Sequence, residues 1–498
     1  MTRRWLPLVA AWPLGILAAL LASPVASRAQ LIPVKTVPLV TGDQFDIFPS
    51  ANRGMGSVSI AMDDPLMDPF VNPAKGGRSR ESRLFVMPTV YDITDDLGAA
   101  RSLPAGALLR YGDWFGAATL SLQQLEGPEP PPFTFLFEPL VLSSQLPQRL
   151  SARSGNNLYA FGSLGRRLTG SDISIGGSLF WAGLDALEGV QLLFPATPDI
   201  DQSGHVLDVR LGLTGDLDGG RSWEVLLLHN HQDMTFEFDQ LFVARGELTL
   251  LRQPEEDRTN TWGVHLGYVA PLPAAGWRVG GILTANYKNH PHIPNYELSN
   301  IPRDPGHTWA FDVGVGLSRR AEWTRFGVDL VLEPIWTDSW AEAEMPIFSI
   351  EGDPIAAGAK TKDNDFRFVN ALMRMGVGVE ADRAAVEMGL QVSAINYTLE
   401  QTDLVLRTLR TQDERWMEWT PTWGVGLAFD GFDIHYTGRA TVGTGQPGIA
   451  FGGIVVPPRS QAGSLVNGDY IVAPSGSLTL LDASVFSHQV YVTVPVGG

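Results

Sequence analysis

The sequence predicts an all-β chain, a transmembrane antiparallel β-barrel of about 14 strands (14–16) behind an N-terminal plug segment. Three observations predict it, and all are plainest between Asp257 and Trp340. First, apolar residues alternate with polar or small ones. Trp262, Val264, Leu266 and Tyr268 share one face of a strand, and Gly263, His265 and Gly267 share the other. A period of two puts successive side chains on opposite faces of a sheet. Second, charged residues stand mid-strand on the polar face (Asp312, Asp329), as a watery lumen allows and a packed core does not. Third, tryptophans stand at strand ends, where an amphipathic ring prefers the headgroup level of a bilayer.

From the beginning of the chain, Arg3 and Arg4 precede an apolar run from Trp5 to Leu21 and a small-x-small pattern, Ser27-Arg28-Ala29. That order reads as a secretory leader over residues 1–29. Export leads to the expectation of a place in the outer membrane of a Gram-negative-type bacterium, with the barrel-assembly machinery as partner during biogenesis. The chain has no cysteine, which excludes disulfides, thiolate metal sites and a thiol nucleophile. Its formal charge is −18, and losing Arg3, Arg4 and Arg28 with the leader makes it −21, which argues against nucleic acid as a partner.

Residues 30–83 lack a convincing strand pair and are rich in turn residues. Long irregular stretches of this kind are usually functional or disordered. A plug folded into the lumen is the sharper expectation, with the barrel wall over 84–498. The segment carries Arg53-Gly54-Met55-Gly56-Ser57-Val58-Ser59-Ile60-Ala61-Met62-Asp63-Asp64-Pro65, then Asn72-Pro73-Ala74. This order resembles the N-terminal hatch of the FadL-like outer-membrane transporters of long-chain fatty acids and other hydrophobic compounds. It is equally similar to the related PorV-like barrel proteins. Gly54, Gly56, Asp63, Asp64, Asn72, Pro73 and Ala74 carry the resemblance, while Lys75-Gly76-Gly77-Arg78 departs from the family's Gly-Leu continuation. What it implies is passive uptake of a hydrophobic small molecule. Phe45, Phe48, Met55, Met62 and Phe70 are then the plug residues expected to touch solute, methionine being pliable enough for shape-tolerant contact. A PorV-like part in a secretion apparatus, or a structural barrel, are the alternatives.

Alternating segments follow at 84–92, 105–111, 114–123, 156–168, 172–181, 206–214 and 223–233, then four in the central block. Five more lie at 366–380, 385–397, 416–429, 432–442 and 485–496. Short turns near 216–220, 271–275, 319–322, 381–383 and 430–431 alternate with long connections, including 234–257, 338–365 and 398–415. Outer-membrane barrels show this asymmetry of short periplasmic turns and long outer loops. Trp114, Trp223, Trp277 and Trp323 each follow a short turn and are expected to form one belt; Trp181, Trp262, Trp309, Trp336 and Trp416 are expected to form the other. Outer-membrane lipid is thus the expected surrounding, for a monomer.

Chemistry finds little support. His229-Asn230-His231 and His290-Pro291-His292 have i, i+2 spacing but no third ligand nearby, and read as rim histidines. There is no G-x-S-x-G and no phosphate-cradling P-loop. No catalytic residue, metal or cofactor is expected.

Overall fold

The computed structural model describes residues 31–32, 34–35, 40, 42–127, 154–187, 200–244, 247–290, 306–343, 345–448 and 479–496. The leader expected at 1–29 and His292 lie outside them. The first strands are β1 (Ser82–Val86), β2 (Thr89–Ile93), β3 (Gly98–Tyr111), β4 (Trp114–Glu126), β5 (Ser154–Arg167) and β6 (Ile173–Leu184). Then come β7 (Ile200–Leu217), β8 (Arg221–Ala244), β9 (Glu247–Pro271), β10 (Trp277–His290), β11 (Gly306–Arg320) and β12 (Thr324–Glu342). After a small hairpin, β13 (Ile347–Phe348) and β14 (Pro354–Ile355), the wall resumes with β15 (Lys360–Glu380) and β16 (Ala384–Asp403). It ends with β17 (Thr408–Phe429), β18 (Phe432–Gly448) and β19 (Thr479–Val496).

Each wall strand pairs antiparallel with its neighbours in the chain, and β19 returns to pair with β1 and β2, closing the cylinder. Both β1 and β2 pair with β3 as well, in one continuous register. They are halves of a single wall strand, so the 17 sheet segments make a wall of 16 strands among the described residues. That is the upper end of the expected range and above its centre of about 14. The sixteen alternating stretches of the sequence correspond to these strands one for one.

The break in the first wall strand has a covalent cause. Val490 donates to the Pro88 carbonyl (3.0 Å) and Met87 to the Pro104 carbonyl (2.8 Å). Neither proline has an N–H to return the bond, so two adjacent rungs are half-made.

The faces are inverted relative to a soluble protein. Leu122 (68% exposed) and Val315 (57%) look outward, while Asp329 and Glu333 are fully buried inside. An apolar skin around a polar interior is the arrangement a bilayer stabilises. At one end the strands are joined by tight turns such as Gly219-Gly220, both at positive φ (77° and 76°), a region that glycine enters freely. At the other end three expected long connections prove to be strand. β8 and β9 continue through most of 234–257, and β12, β15, β16 and β17 run into 338–365 and 398–415. Alternation fades there because both faces of a strand that has left the bilayer meet water, so charges such as Asp363, Asp365 and Asp413 stand on the outward face, which is apolar lower down.

Trp114, Trp181, Trp262, Trp309, Trp323 and Trp336 are exposed on the outside, and Trp223 and Trp277 are partly so. Trp416 departs from the expected belt. It shares the face of Thr420, Thr422 and Gly424, points into the lumen and meets Tyr397 edge-on at 6.3 Å. Trp419, of opposite parity, is the exposed residue.

Candidate functional site

The described residues ahead of β1 lie within the cylinder, and 42–81 sit nearer the short-turn end, where their own sequence makes them compact. Asp64 ties it together: its carboxylate accepts from Ser50 Oγ (2.6 Å) and from the backbone N–H groups of Ala51 (3.0 Å), Leu66 (3.1 Å) and Met67 (3.0 Å). Asn72 Oδ1 accepts from the Ala74 N–H (3.1 Å), starting the 3-10 turn Pro73–Arg78, and Asn72 Nδ2 donates to Glu224 on β8 (3.0 Å). A carboxylate that accepts several N–H groups makes charge-assisted bonds, stronger than neutral ones.

Contacts to the wall run round the cylinder. Asp329 on β12 accepts from the Ser59 N–H at 2.7 Å and the Ile60 N–H at 3.2 Å, while Arg374 on β15 donates to Ser59 Oγ at 3.0 Å. Ser318 on β11 donates to the Ala61 carbonyl (2.6 Å). Arg278 on β10 pairs with Asp63 at 2.6 Å, and Arg439 on β18 with Asp43 at 3.0 Å. Lys75 reaches Glu224 at 2.9 Å and Asp68 at 3.5 Å. Met55 and Gly56 fit a notch where Gly376 and Gly389 face each other across β15 and β16. A Cβ on Gly376 would stand 2.3 Å from the Met55 carbonyl oxygen. Gly56 N–H donates to Thr422 Oγ1 (2.9 Å), which donates to the Gly54 carbonyl (2.9 Å).

These surroundings shift the acids of the segment. Burial alone would raise the Asp63 carboxyl, but Arg278, helped by Arg78 and Lys75, holds it below the usual range. Asp68 is pushed up to about 7 by burial, and Lys75, which sits closer to Glu224, does not offset this.

The expected apolar contacts divide into two groups. Met55 and Met62 pack with Val58 near the short-turn end. Phe45, Phe48 and Phe70 instead join wall aromatics in a ladder. Phe48 stacks on Phe70 (4.5 Å between centroids) and meets Phe161 of β5 (5.3 Å) and Phe180 of β6 (6.4 Å). Phe70 reaches Phe85 of β1 at 5.9 Å, and Phe45 reaches Tyr159 at 5.8 Å. Above it, Tyr159, Val206, Met234 and Phe236 form a buried apolar cluster facing inward. A second lumen tract, Phe366, Phe368 and Tyr397, holds Ile32 and Val34. Sequence reading missed these wall aromatics. The available signal was large apolar residues on the face that elsewhere carries polar ones. His231 bonds Asn260 (2.9 Å) and His229 lies against Trp262 (4.1 Å), and no metal-ligating cluster occurs among the described residues.

No protein-family model matches the chain, and no curated protein matches it. Among solved structures it is similar to the CymD monoaromatic hydrocarbon channel (TM-score 0.40, 11% identity, covering 95% of this chain and 100% of that one). It is also similar to the toluene transporter TbuX of Ralstonia pickettii (0.41, 10%, 91% and 100%). A Pseudomonas aeruginosa FadL homologue gives 0.44 at 9% identity, covering 94% and 100%. None of the structures named here is a PorV-like barrel. At these scores the likenesses carry no argument about this chain, and the barrel rests on its own strand pairing.

Proposed function

We propose that this chain is an outer-membrane channel for the passive uptake of hydrophobic small molecules, with residues 30–83 acting as its hatch. The reading takes residues 1–29 as the export leader and the barrel as a monomer in outer-membrane lipid, inserted by the barrel-assembly machinery. The observation that carries it is the aromatic ladder. A channel for polar solutes is lined with polar groups throughout, whereas here phenylalanines from wall and inner segment form an apolar track along the β1, β5 and β6 side of an otherwise polar bore. Each methylene moved from water into such a lining contributes about 0.8 kcal/mol, so a tail of roughly five gains about 4 kcal/mol, enough for millimolar binding.

Binding of a fluorescent fatty acid to the detergent-purified protein tests this. Saturable binding that is lost on deleting residues 30–74 supports it. No saturable binding, with a second protein co-purifying, would instead favour an assembly role.

A further inference from the structure

At the short-turn mouth a cavity of about 450 Å³ opens between the end of the inner segment and the bore face of β3, β5, β6 and β7. No apolar side chain lines it. Arg78 and Arg80 come from the segment, Arg110 from β3 and Arg167 from β5, with Ser174 of β6 and Asp216 of β7 between them. This polar lining sets the cavity apart from the aromatic ladder and makes it a poor seat for a hydrocarbon tail.

The charges around it do not balance. Arg78 pairs with Asp216 at 2.8 Å and Arg167 pairs with Asp172, so two carboxylates stand against four guanidinium groups. Asp63 also reaches Arg78, at 3.5 Å, but Arg278 holds it closer, at 2.6 Å. Arg110 donates to the Gly77 carbonyl (2.9 Å), and Arg80 is exposed and makes no ion pair among the described residues. Two positive charges (4 − 2) are thus in excess where two separate parts of the chain meet, in a protein whose net charge is −18. Like charges on either side of a joint repel, the more so where protein displaces bulk water. An anion lodged between them turns that repulsion into attraction.

We propose that this cavity binds a phosphate group, as inorganic phosphate or a small phosphate monoester, and that the bound anion fastens the end of the inner segment to the wall. A phosphate monoester carries a charge of about −1.5 to −2 near neutral pH, which matches the local excess. Guanidinium forks fit pairs of its oxygens, and an oxygen left over suits the Ser174 hydroxyl. Arg110, Arg167 and Ser174 share the bore-facing side of their strands, so the anion arrives from solution and not from lipid headgroups around the barrel. With Arg78 and Arg80 on one side of it and Arg110 and Arg167 on the other, it bridges the two bodies. The site stands independently of what the channel carries.

The test is calorimetric titration of the full-length protein in a non-ionic detergent with inorganic phosphate, in a low-salt buffer free of other oxyanions. The wild type is expected to bind saturably, to accept methyl phosphate as well, and to keep its phosphate when laurate is added. Arg80→Gln with Arg167→Gln is expected to weaken phosphate by about tenfold or more, and Arg80→Lys with Arg167→Lys to regain most of the loss. Arg80→Gln alone, at an exposed position, is expected to weaken it by a smaller factor, and heat-modifiable migration shows that the barrel of each variant has formed. Hydrogen exchange at residues 76–80 is expected to slow as phosphate saturates the wild type and to stay unchanged in the double glutamine variant. No saturable binding by the wild type, binding that survives the glutamine substitutions, or displacement of phosphate by laurate overturns the site. Saturable binding with unaltered exchange at 76–80 overturns the fastening.

Discussion

Asp329 on β12 accepts the Ser59 backbone N–H at 2.7 Å, a bond between residues 270 apart that anchors the inner segment to the middle of the wall. The same carboxylate takes the Ile60 N–H, and Arg374 stands behind it at 3.8 Å. Bonds to a charged acceptor contribute about 1.5–3 kcal/mol each. Asp329→Asn is therefore expected to raise hydrogen exchange at residues 57–61 by roughly tenfold or more, with the wall strands unchanged. Unaltered exchange there would show that the segment is held elsewhere.

The notch made by Gly376 and Gly389 admits no side chain. A Cβ at Gly389 would lie 2.2 Å from the Gly56 nitrogen, and both positions face the Met55–Gly56 turn. Gly376→Val or Gly389→Val should leave the barrel able to form, because valine suits a strand, yet prevent the turn from seating. Planar-bilayer recordings should show higher conductance than wild type. Wild-type conductance in both variants would refute this account of the fit.

Protonation offers a third check. Asp68 titrates at about 7 inside the barrel, against 3.8 ordinarily. Between those values the seated segment holds a proton that the released one lacks, so the stability this group contributes falls as pH rises from about 4 to about 7 and then levels off. Protease protection of the segment should decline across that window in the wild type, and the decline should be shallower in Asp68→Asn. Identical profiles would mean that the carboxyl is ionised throughout.

The two faces of the wall can be read by fluorescence. Trp309 is exposed on the outside, whereas Trp416 meets Tyr397 inside. In bilayers of brominated lipid, Trp309→Phe should remove quenchable emission and Trp416→Phe should remove emission that the bromines do not reach. The reverse result would place Trp416 in the belt after all.

The wall was legible because alternation is written into each strand separately. Asp312 and Asp329 stood out in the sequence for the same reason that they matter in the structure, as charges mid-strand on the inner face. Trp416 leaves the expected belt because β17 begins at Thr408, well before the alternating stretch does, and because parity, which Thr420, Thr422 and Gly424 fix, turns it to the lumen. The wall partners of the inner segment left no mark of this kind. Ser59 finds Asp329, and Met55 finds Gly376 and Gly389, only through the strand register that closure imposes. Nothing local to either partner encodes that pairing.

Pro88 and Pro104 give the cylinder a preferred place to come apart. Each removes the returning half of a two-bond rung: Pro88 where the first wall strand meets β19, and Pro104, on β3, where that same strand meets β3. Heating or mechanical pulling would then unzip the protein from a defined seam, with Met87 and Val490 the first amides to exchange and the long β8–β9 ribbon on the opposite side among the last to let go.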